Sequence, residues 1–333
     1  MKQINWGIIG CGTVTEKKSG PAFNKIEGSR LVAVMRRDAE KAAGYARRHQ
    51  VPRWYDKADD LIHDTDVNAV YIATPPHMHA SYAIKAMRAG KPVYVEKPMA
   101  RTYAECLEMN RVSEETGVPL FVAYYRRRLP GFLKLKEWID KGKIGRVDSV
   151  SVRLMLPPRK EDHNRKNLPW RVIPEIAGGG YFYDLASHQF DILDYIFGPV
   201  KEIQAVVTNR GGLYEAEDTL AVNFGFASGV TGQGNWSFVA NPVSQTDTIE
   251  VFGSEGHIRF STFQVVPLTL VTGSGETEFT FQNPENIQFN LIKTVVGAIQ
   301  GKGECPSTGL TAARTNRVLE EVVKDYYKQR SGR

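Results

Sequence analysis

Asn5-Trp6-Gly7-Ile8-Ile9-Gly10-Cys11-Gly12-Thr13-Val14-Thr15 is the stretch on which the fold turns. A short apolar run, residues 6–9, stops at Gly10-Cys11-Gly12, and a helix-compatible segment follows. The pattern reads as a buried strand, a tight turn and a helix start, with the spacing G-x-G-x-x-T counted from Gly10. Gly10 permits the turn and Gly12 lets the backbone approach a pyrophosphate. The leading N–H groups, at Thr13 and Val14, face that anion. Thr15 stands where a third Gly is usual, which implies a slightly wider helix–strand contact. A Gly-rich turn without a ligand is the plainer reading of these residues alone. Their place directly after a strand favours a dinucleotide site.

Four further apolar runs follow, at residues 31–35, 69–73, 92–95 and 119–123, each separated by a helix-length polar segment. Continuous Val/Ile/Leu runs alternating with helices indicate an α/β, doubly wound parallel sheet covered on both faces. The helices are expected at 39–49 after Asp38 as N-cap, at 81–89 before Gly90, and at 103–116 between Thr102 and Gly117. Ligands on such sheets sit outside the carboxyl ends of the strands.

Those ends carry the candidate residues. Met35-Arg36-Arg37-Asp38 follows the second run. An acidic residue there suits the NAD ribose, whereas arginine suits a 2′-phosphate, so Arg36 and Arg37 favour NADP, with NAD possible. The plainer alternative makes both arginines solvated charges that lead a helix. Thr74-Pro75-Pro76-His77-Met78-His79 forms a stiff loop after the third run. His77 and His79 have no third ligand of suitable spacing, so no metal is expected. Glu96-Lys97-Pro98 places an amine at a strand end, where a partly desolvated ammonium can donate to a substrate oxygen or carry a proton.

After Tyr124 the rhythm changes. A helix over 131–141 leads to a strand at 147–154 that alternates with period two. Further strands are expected at 202–208, 218–226, 230–238, 248–252 and 257–260, with weaker ones at 269–271 and 278–281. Strands without intervening helices imply a large, mostly antiparallel sheet with an open face, which a second copy of the chain would cover as a homodimer or homotetramer. Gly178-Gly179-Gly180 opens a helix ending at Gly198-Pro199, and Asp184 and His188, four apart, share one face of it. The dipole there favours an ionised Asp184 and a neutral imidazole, the form a base needs. The preceding loop offers Trp170 for stacking on a sugar-like substrate and Arg171 for hydrogen bonds; it also reads as a solvated crossover. Helices at 287–300 and 310–327 are expected to pack near the domain junction. We therefore expect two domains, 1–123 for the dinucleotide and 124–333 for substrate binding and oligomerisation.

Composition sets bounds on partners. The 333 residues carry a net charge of +6, spread along the chain, and 42% hydrophobic residues. The short basic clusters suit an anionic small molecule better than nucleic acid. No apolar run approaches the ~20 residues of a membrane span, and no signal-peptide pattern is seen, so a cytoplasmic protein is expected. Three scattered cysteines, Cys11, Cys106 and Cys305, argue for reduced thiols and against zinc.

Together, Gly7-Ile8-Ile9-Gly10-Cys11-Gly12, Thr74-Pro75-Pro76-His77-Met78-His79-Ala80, Glu96-Lys97-Pro98 and Gly179-Gly180 before Asp184-x-x-x-His188 resemble the glucose–fructose oxidoreductase / inositol dehydrogenase (Gfo/Idh/MocA) family. The resemblance spans nearly the whole chain. It implies an N-terminal Rossmann domain, a C-terminal α/β domain with a large open sheet, and NAD(P)-dependent oxidation or reduction of a sugar or polyol carbon. It maps the catalytic lysine to Lys97 and the Asp and His to Asp184 and His188. The cofactor set becomes Gly10, Gly12, Thr13, Val14, Arg36, Arg37, Thr74, Pro75, His79, Glu96, Lys97 and Arg127. The substrate set becomes Lys97, Tyr125, Trp170, Arg171, Asp184 and His188. His77 and Tyr125 depart from the asparagines common at those places, which bears on substrate identity. Two other functions are compatible with the fold. One is a cofactor-sensing regulator, against which the joint presence of Lys97, Asp184 and His188 speaks. The other is an enzyme that keeps its cofactor and oxidises its substrate only transiently.

Overall fold

The computed structural model describes residues 3–331, so the outermost residues of both expected domains (1–2 and 332–333) lie outside the described residues. The chain forms two compact units, Met1–Arg128 with Asn283–Ala313, and Leu129–Gln282 with Arg314–Arg333.

The first unit is built on six strands: β1 Ile4–Ile9, β2 Ser29–Met35, β3 Arg53–Tyr55, β4 Ala69–Ile72, β5 Val93–Val95 and β6 Leu120–Val122. All pair in parallel in the order β3-β2-β1-β4-β5-β6. The strand order reverses beside β1, so the crevice between the ends of β1 and β4 is the switch point where such sheets take ligands. The connections carry α1 Thr13–Lys17, α2 Gly20–Lys25, α3 Ala39–His49, α4 Ala58–His63, α5 His79–Arg88 and α6 Tyr103–Thr116. Asp38 caps α3 by accepting from Lys41 N at 3.0 Å. Thr102 and Glu105 form a capping box on α6, which ends at Gly117 in the left-handed region.

Two features depart from the sequence reading. The helix after the glycine turn is broken into α1 and α2, with Pro21 in the first turn of α2. The outer strand β3 and helix α4 were not anticipated, because Arg53-Trp54-Tyr55 is too short and too exposed to read as an apolar run.

The second unit holds an eight-stranded sheet ordered β14-β13-β12-β11-β7-β10-β9-β8. Its strands are β7 Val147–Met155, β8 Val200–Thr208, β9 Thr219–Phe226, β10 Thr231–Ser237, β11 Thr246–Gly253, β12 Gly256–Phe260, β13 Leu268–Thr272 and β14 Gly275–Phe279. Only β7 and β10 pair in parallel; the other pairs are antiparallel. Helices α7 Pro130–Asp140, α8 Pro174–Ala177 and α9 Tyr181–Phe197 belong to this unit, as does most of the last helix.

Alternation decides which face is covered. Val150, Val152, Leu154, Leu220, Val222, Phe224, Trp236, Ile249 and Val251 are buried. Helix α9 lies on that face, with Phe190 at 5.2 Å from Phe224 and 5.6 Å from Trp236 between ring centroids. Gln189 fixes its register by accepting from Trp236 Nε1 at 2.7 Å. The opposite face shows Ser149, Ser151, Gln204, Asn223, Thr231 and Gln233 around a shallow depression of about 400 Å³.

The chain then returns to the first unit through α10 Phe289–Ile299, and α11 Gly309–Ser331 closes the described chain. Leu291, Ile292, Val295 and Val296 of α10 join Trp6, Ile8, Phe23 and Tyr71 in one core layer. The other face of the parallel sheet is covered by α5 and α6. The outer edge of β6 is closed by Ser307, whose hydroxyl donates to Val122 O at 2.7 Å, and by a bridge from Phe121 to Thr308. An otherwise open row of backbone groups is thereby satisfied.

Candidate functional site

Candidate residues fall into two groups, one in each unit. In the first unit they stand at the carboxyl ends of the parallel strands. Gly10 has φ +93°, and an added Cβ would come within 2.7 Å of Thr74 Cγ2, so glycine is required on conformation and on space. At Gly12 the same Cβ would meet only Gly10 O, at 3.8 Å, and would otherwise project into open space. That opening is the cradle a pyrophosphate needs, and the N–H groups of Thr13 and Val14 lead α1, where no carbonyl of the helix can take them.

The sequence gives Thr15 a spacing function; the structure gives it a bonding one. Its hydroxyl accepts from Gly12 N at 3.0 Å and donates to Gly12 O at 2.9 Å, sealing the turn from within. Tyr45 completes the anchor by donating to Thr15 O at 2.9 Å.

Around this turn, Arg36 Nη1 donates to Cys11 O at 3.3 Å, which fixes the arginine beside the glycine loop. Arg37 is exposed. Asp38 is engaged by the α3 amide and by Lys41 Nζ at 2.7 Å. Thr74 Oγ1 is buried with no hydrogen-bond partner among the described residues, as is Nδ1 of His77. Burial, then the nearby Arg101 and Arg37, hold the His77 pKa below its ordinary value. Pro75 is half-buried beside them. His79 lies beneath the loop, fully buried, with Nε2 2.7 Å from Thr74 O and Nδ1 3.1 Å from Pro98 O. It ties the end of β4 to the turn after β5, and burial pushes its pKa down.

Glu96 and Lys97 continue β5. Glu96 is buried, and its Oε1 accepts from Tyr71 OH at 2.6 Å and from Gln288 Nε2 at 2.6 Å. Gln288 in turn accepts from Tyr94 OH at 2.8 Å. The other carboxylate oxygen takes the Lys97 N–H at 3.2 Å. The backbone of Lys97 is thus held by a carboxylate that is itself held by two donors, and the Lys97–Pro98 bond is cis. Its side chain is half-buried. Arg127 is buried and donates from Nη1 to Pro306 O at 2.8 Å, while Arg126 stacks over the Tyr125 ring at 5.0 Å.

In the second unit, Asp184 occupies the first turn of α9 and His188 the next. Arg171 Nε donates to Asp184 Oδ2 at 3.0 Å, and the same guanidinium lies over the Trp170 ring at 4.4 Å. The loop that the sequence left open between a substrate contact and a solvated crossover is therefore fastened to the aspartate. His188 is 4% exposed, with the Phe263 ring set edgewise to it at 6.0 Å between ring centroids. Phe263 N donates to Asp247 Oδ2 at 2.6 Å.

Sequence reading missed the supports of this helix. Tyr181 OH donates to the buried Asp162 at 2.7 Å, and Gly180 N donates to the buried Glu217 at 2.8 Å. The signal for Glu217 was an acidic pair, Glu217-Asp218, directly before an apolar alternating strand. Gln288 had no comparable signal, since its partner Glu96 lies 192 positions earlier.

Comparison with known proteins finds relatives over nearly the whole chain. The profile described as "Oxidoreductase family, NAD-binding Rossmann fold" matches residues 4–124, and that of the "GFO/IDH/MocA C-terminal domain" matches 132–259. An oxidoreductase of Formosa agariphila is 38% identical over 321 residues, covering 96% of this chain and 98% of that protein. The 1,5-anhydro-D-fructose reductase of Ensifer adhaerens is 28% identical, covering 91% and 90%. Among solved structures, a levoglucosan dehydrogenase in complex with NADH superposes with a TM-score of 0.89 at 25% identity, covering 98% and 97%.

Proposed function

The chain belongs to the Gfo/Idh/MocA family of NAD-binding oxidoreductases, and from that premise we propose that it moves a hydride between a nicotinamide dinucleotide and a CH–OH carbon of a sugar or polyol. The observation that carries the reading is the placement of Lys97. It leaves the carboxyl end of β5, two strands from the glycine turn of β1, with its backbone fastened by a buried carboxylate.

In the oxidative direction His188 accepts the hydroxyl proton as the carbinol carbon becomes a carbonyl. Asp184, fixed by Arg171, orients the imidazole and stabilises its charged form. The Lys97 ammonium stabilises the developing alkoxide oxygen. Bound NAD(P) would supply the hydride acceptor. Gly10, Gly12, Thr13, Val14, Thr74 and Pro75 would hold the dinucleotide, His79 and Glu96 acting through the backbone of Thr74 and Lys97. Arg127 would stiffen the turn after β6. Tyr125, Trp170 and Arg171 would bound the substrate, and the names of the relatives, a 1,5-anhydro-D-fructose reductase and a levoglucosan dehydrogenase, point to a compact cyclic polyol.

NADP is the preferred cofactor in this reading. Asp38 is committed to capping α3, whereas Arg36 and Arg37 stand after β2 and the unpartnered His77 Nδ1 lies near Arg37 and Arg101. A 2′-phosphate would meet Arg36 and Arg37 there, with Asp38 already engaged by Lys41 and Glu105 by Arg101. We place the enzyme in the cytoplasm, consistent with three buried cysteines and with no described helix long and apolar enough to cross a membrane. The open face of the second sheet serves as the contact between copies in a homodimer or homotetramer, which light scattering at micromolar concentration tests.

The deciding experiment is a panel of polyols, anhydrosugars, aldoses and ketoses with NAD and NADP, followed at the reduced nicotinamide band. Turnover of at least one cyclic polyol class, lost in Lys97→Ala, is expected. No absorbance change across the panel in either direction would remove the proposal.

A further inference from the structure

We propose that Glu217 is the positioning residue for the Asp184–His188 turn, its buried carboxyl pinning the glycine turn that begins α9 against α11. The inference rests on the roles given above to Asp184 and His188, and it adds a residue that touches neither.

The geometry is specific to this carboxyl. Glu217 is fully buried, and its two oxygens are divided between two elements. Oε1 accepts from Gly180 N at 2.8 Å, and Oε2 accepts from Tyr327 OH at 2.5 Å. Gly180 is the N-cap of α9, so its N–H lies outside the reach of the helix carbonyls. A Cβ at Gly180 would come within 2.7 Å of Glu217 O and 3.0 Å of Ala216 Cβ. A Cβ at Gly179 would overlap the Tyr183 ring and come within 3.0 Å of Glu217 Oε1. The two glycines are therefore the space into which residues 216–217 press, and the helix that carries Asp184 begins where Glu217 holds it. Asp184 lies four positions after Gly180, about one helical turn.

Both protonation states of the carboxyl can hold this clamp, by different bond patterns. Ionised, it only accepts, and both of its partners are donors. Protonated, one oxygen must donate, and the bond to Tyr327 has to turn around. Burial, with a smaller push from Asp218, raises the pKa to about 7 against the lowering pull of the Tyr327 hydroxyl and the Gly180 N–H. The other titratable groups facing it are Tyr214, Tyr326 and, across Tyr327, Tyr183, all neutral phenols in this range. Asp218 is itself occupied, accepting from Arg210 N, Gly211 N and the Thr219 hydroxyl at 2.8–2.9 Å. Glu217 is thus the group at this turn whose charge changes near neutrality.

The test is hydrogen exchange of the segment 178–186 in the full-length protein between pH 5.5 and 8.5, with kcat and KM measured in parallel. In the native protein, protection is expected to fall as pH rises through about 7, because ionising the buried carboxyl is harder in the folded state than in the unfolded chain. Glu217→Ala should lower protection by roughly tenfold and abolish its pH dependence. Its kcat should fall by roughly 10- to 100-fold, with dinucleotide Kd unchanged. Glu217→Gln keeps an acceptor for Gly180 and cannot titrate, so it should restore most of the protection and flatten the pH profile. Tyr327→Phe, which removes the second anchor alone, should show an intermediate loss. Exchange in Glu217→Ala equal to the native protein, or a Glu217→Gln as deprotected as Glu217→Ala, overturns the proposal. If the carbohydrate panel finds no turnover, the exchange measurement still decides whether the clamp exists, so the two failures are told apart.

Discussion

Gln288 donates to Glu96 Oε1 at 2.6 Å, to the same oxygen that receives the Tyr71 hydroxyl. An amide from late in the chain thus completes the shell of a buried carboxylate whose other oxygen holds the Lys97 backbone. Gln288→Ala leaves that buried carboxylate short of one donor. Thermal unfolding should show a loss of about 1–3 kcal/mol. A lower kcat with an unchanged dinucleotide Kd should accompany it.

Lys97→Ala and His188→Ala should each lower turnover by about 10²–10⁴-fold, the range for positioned acid–base help. Fluorescence titration with the reduced dinucleotide should return native affinity for both. Because the two residues serve one step, the double variant should lose far less than the product of the single losses. Full multiplicativity would assign them to separate steps. Full activity in His188→Ala alone would move the proton-carrying role to Lys97.

Arg37→Ala and Arg36→Ala should weaken NADPH and spare NADH, by about tenfold each, since each removes one charged partner of a 2′-phosphate. Below neutral pH the NADPH preference should widen as His77 gains a proton. Its depressed pKa places that gain at a lower pH than for an exposed histidine. Calorimetry with 2′-AMP against 5′-AMP reads this directly, and an equal response to both nucleotides would point to NAD as the partner.

Glu217 makes a second, independent prediction about stability. Its pKa rises from an ordinary 4.5 to about 7 on folding. The folded state therefore holds a proton that the unfolded chain has released, and stability falls as pH rises between those values. The contribution is fully present below about 4.5 and lost above about 7, an effect on the order of 3 kcal/mol. Melting temperature against pH should decline less steeply over that window in Glu217→Gln than in the native protein. Parallel curves would show that the carboxyl titrates normally.

Arg171→Met should separate orientation from binding. The variant keeps the stem over Trp170 but not the 3.0 Å bond to Asp184. A roughly tenfold lower kcat is expected, with substrate KM raised as well. An unchanged kcat would show that Asp184 orients without its arginine.

How far the sequence could be read follows from the range of each interaction. The glycine turn, the apolar runs and the caps at Asp38 and Thr102 are local, and they declare themselves within a dozen residues. The same holds for Asp184 and His188, whose spacing alone puts them on one helix face. Strand β3 escaped because three residues with intermediate or exposed side chains carry no periodicity. The supports escaped for another reason. Glu217, Asp162 and Gln288 are polar residues that look solvated until a distant donor is found for each. Thr15 lies between these cases: its position was read, but not the two bonds it makes to Gly12.

The strip Asn283–Ala313 belongs to the same compact unit as the first 128 residues. Asn286 donates to Lys17 O at 2.6 Å, and four side chains of α10 fill the layer that holds Trp6 and Phe23. On the ribosome, then, the nucleotide-binding sheet emerges well before α10, and this face is only partly covered, by α2 and α3, until residues 289–299 are made. A nascent chain stalled near residue 282 would expose part of that apolar layer, so the interval between the two syntheses is when this protein most needs a chaperone.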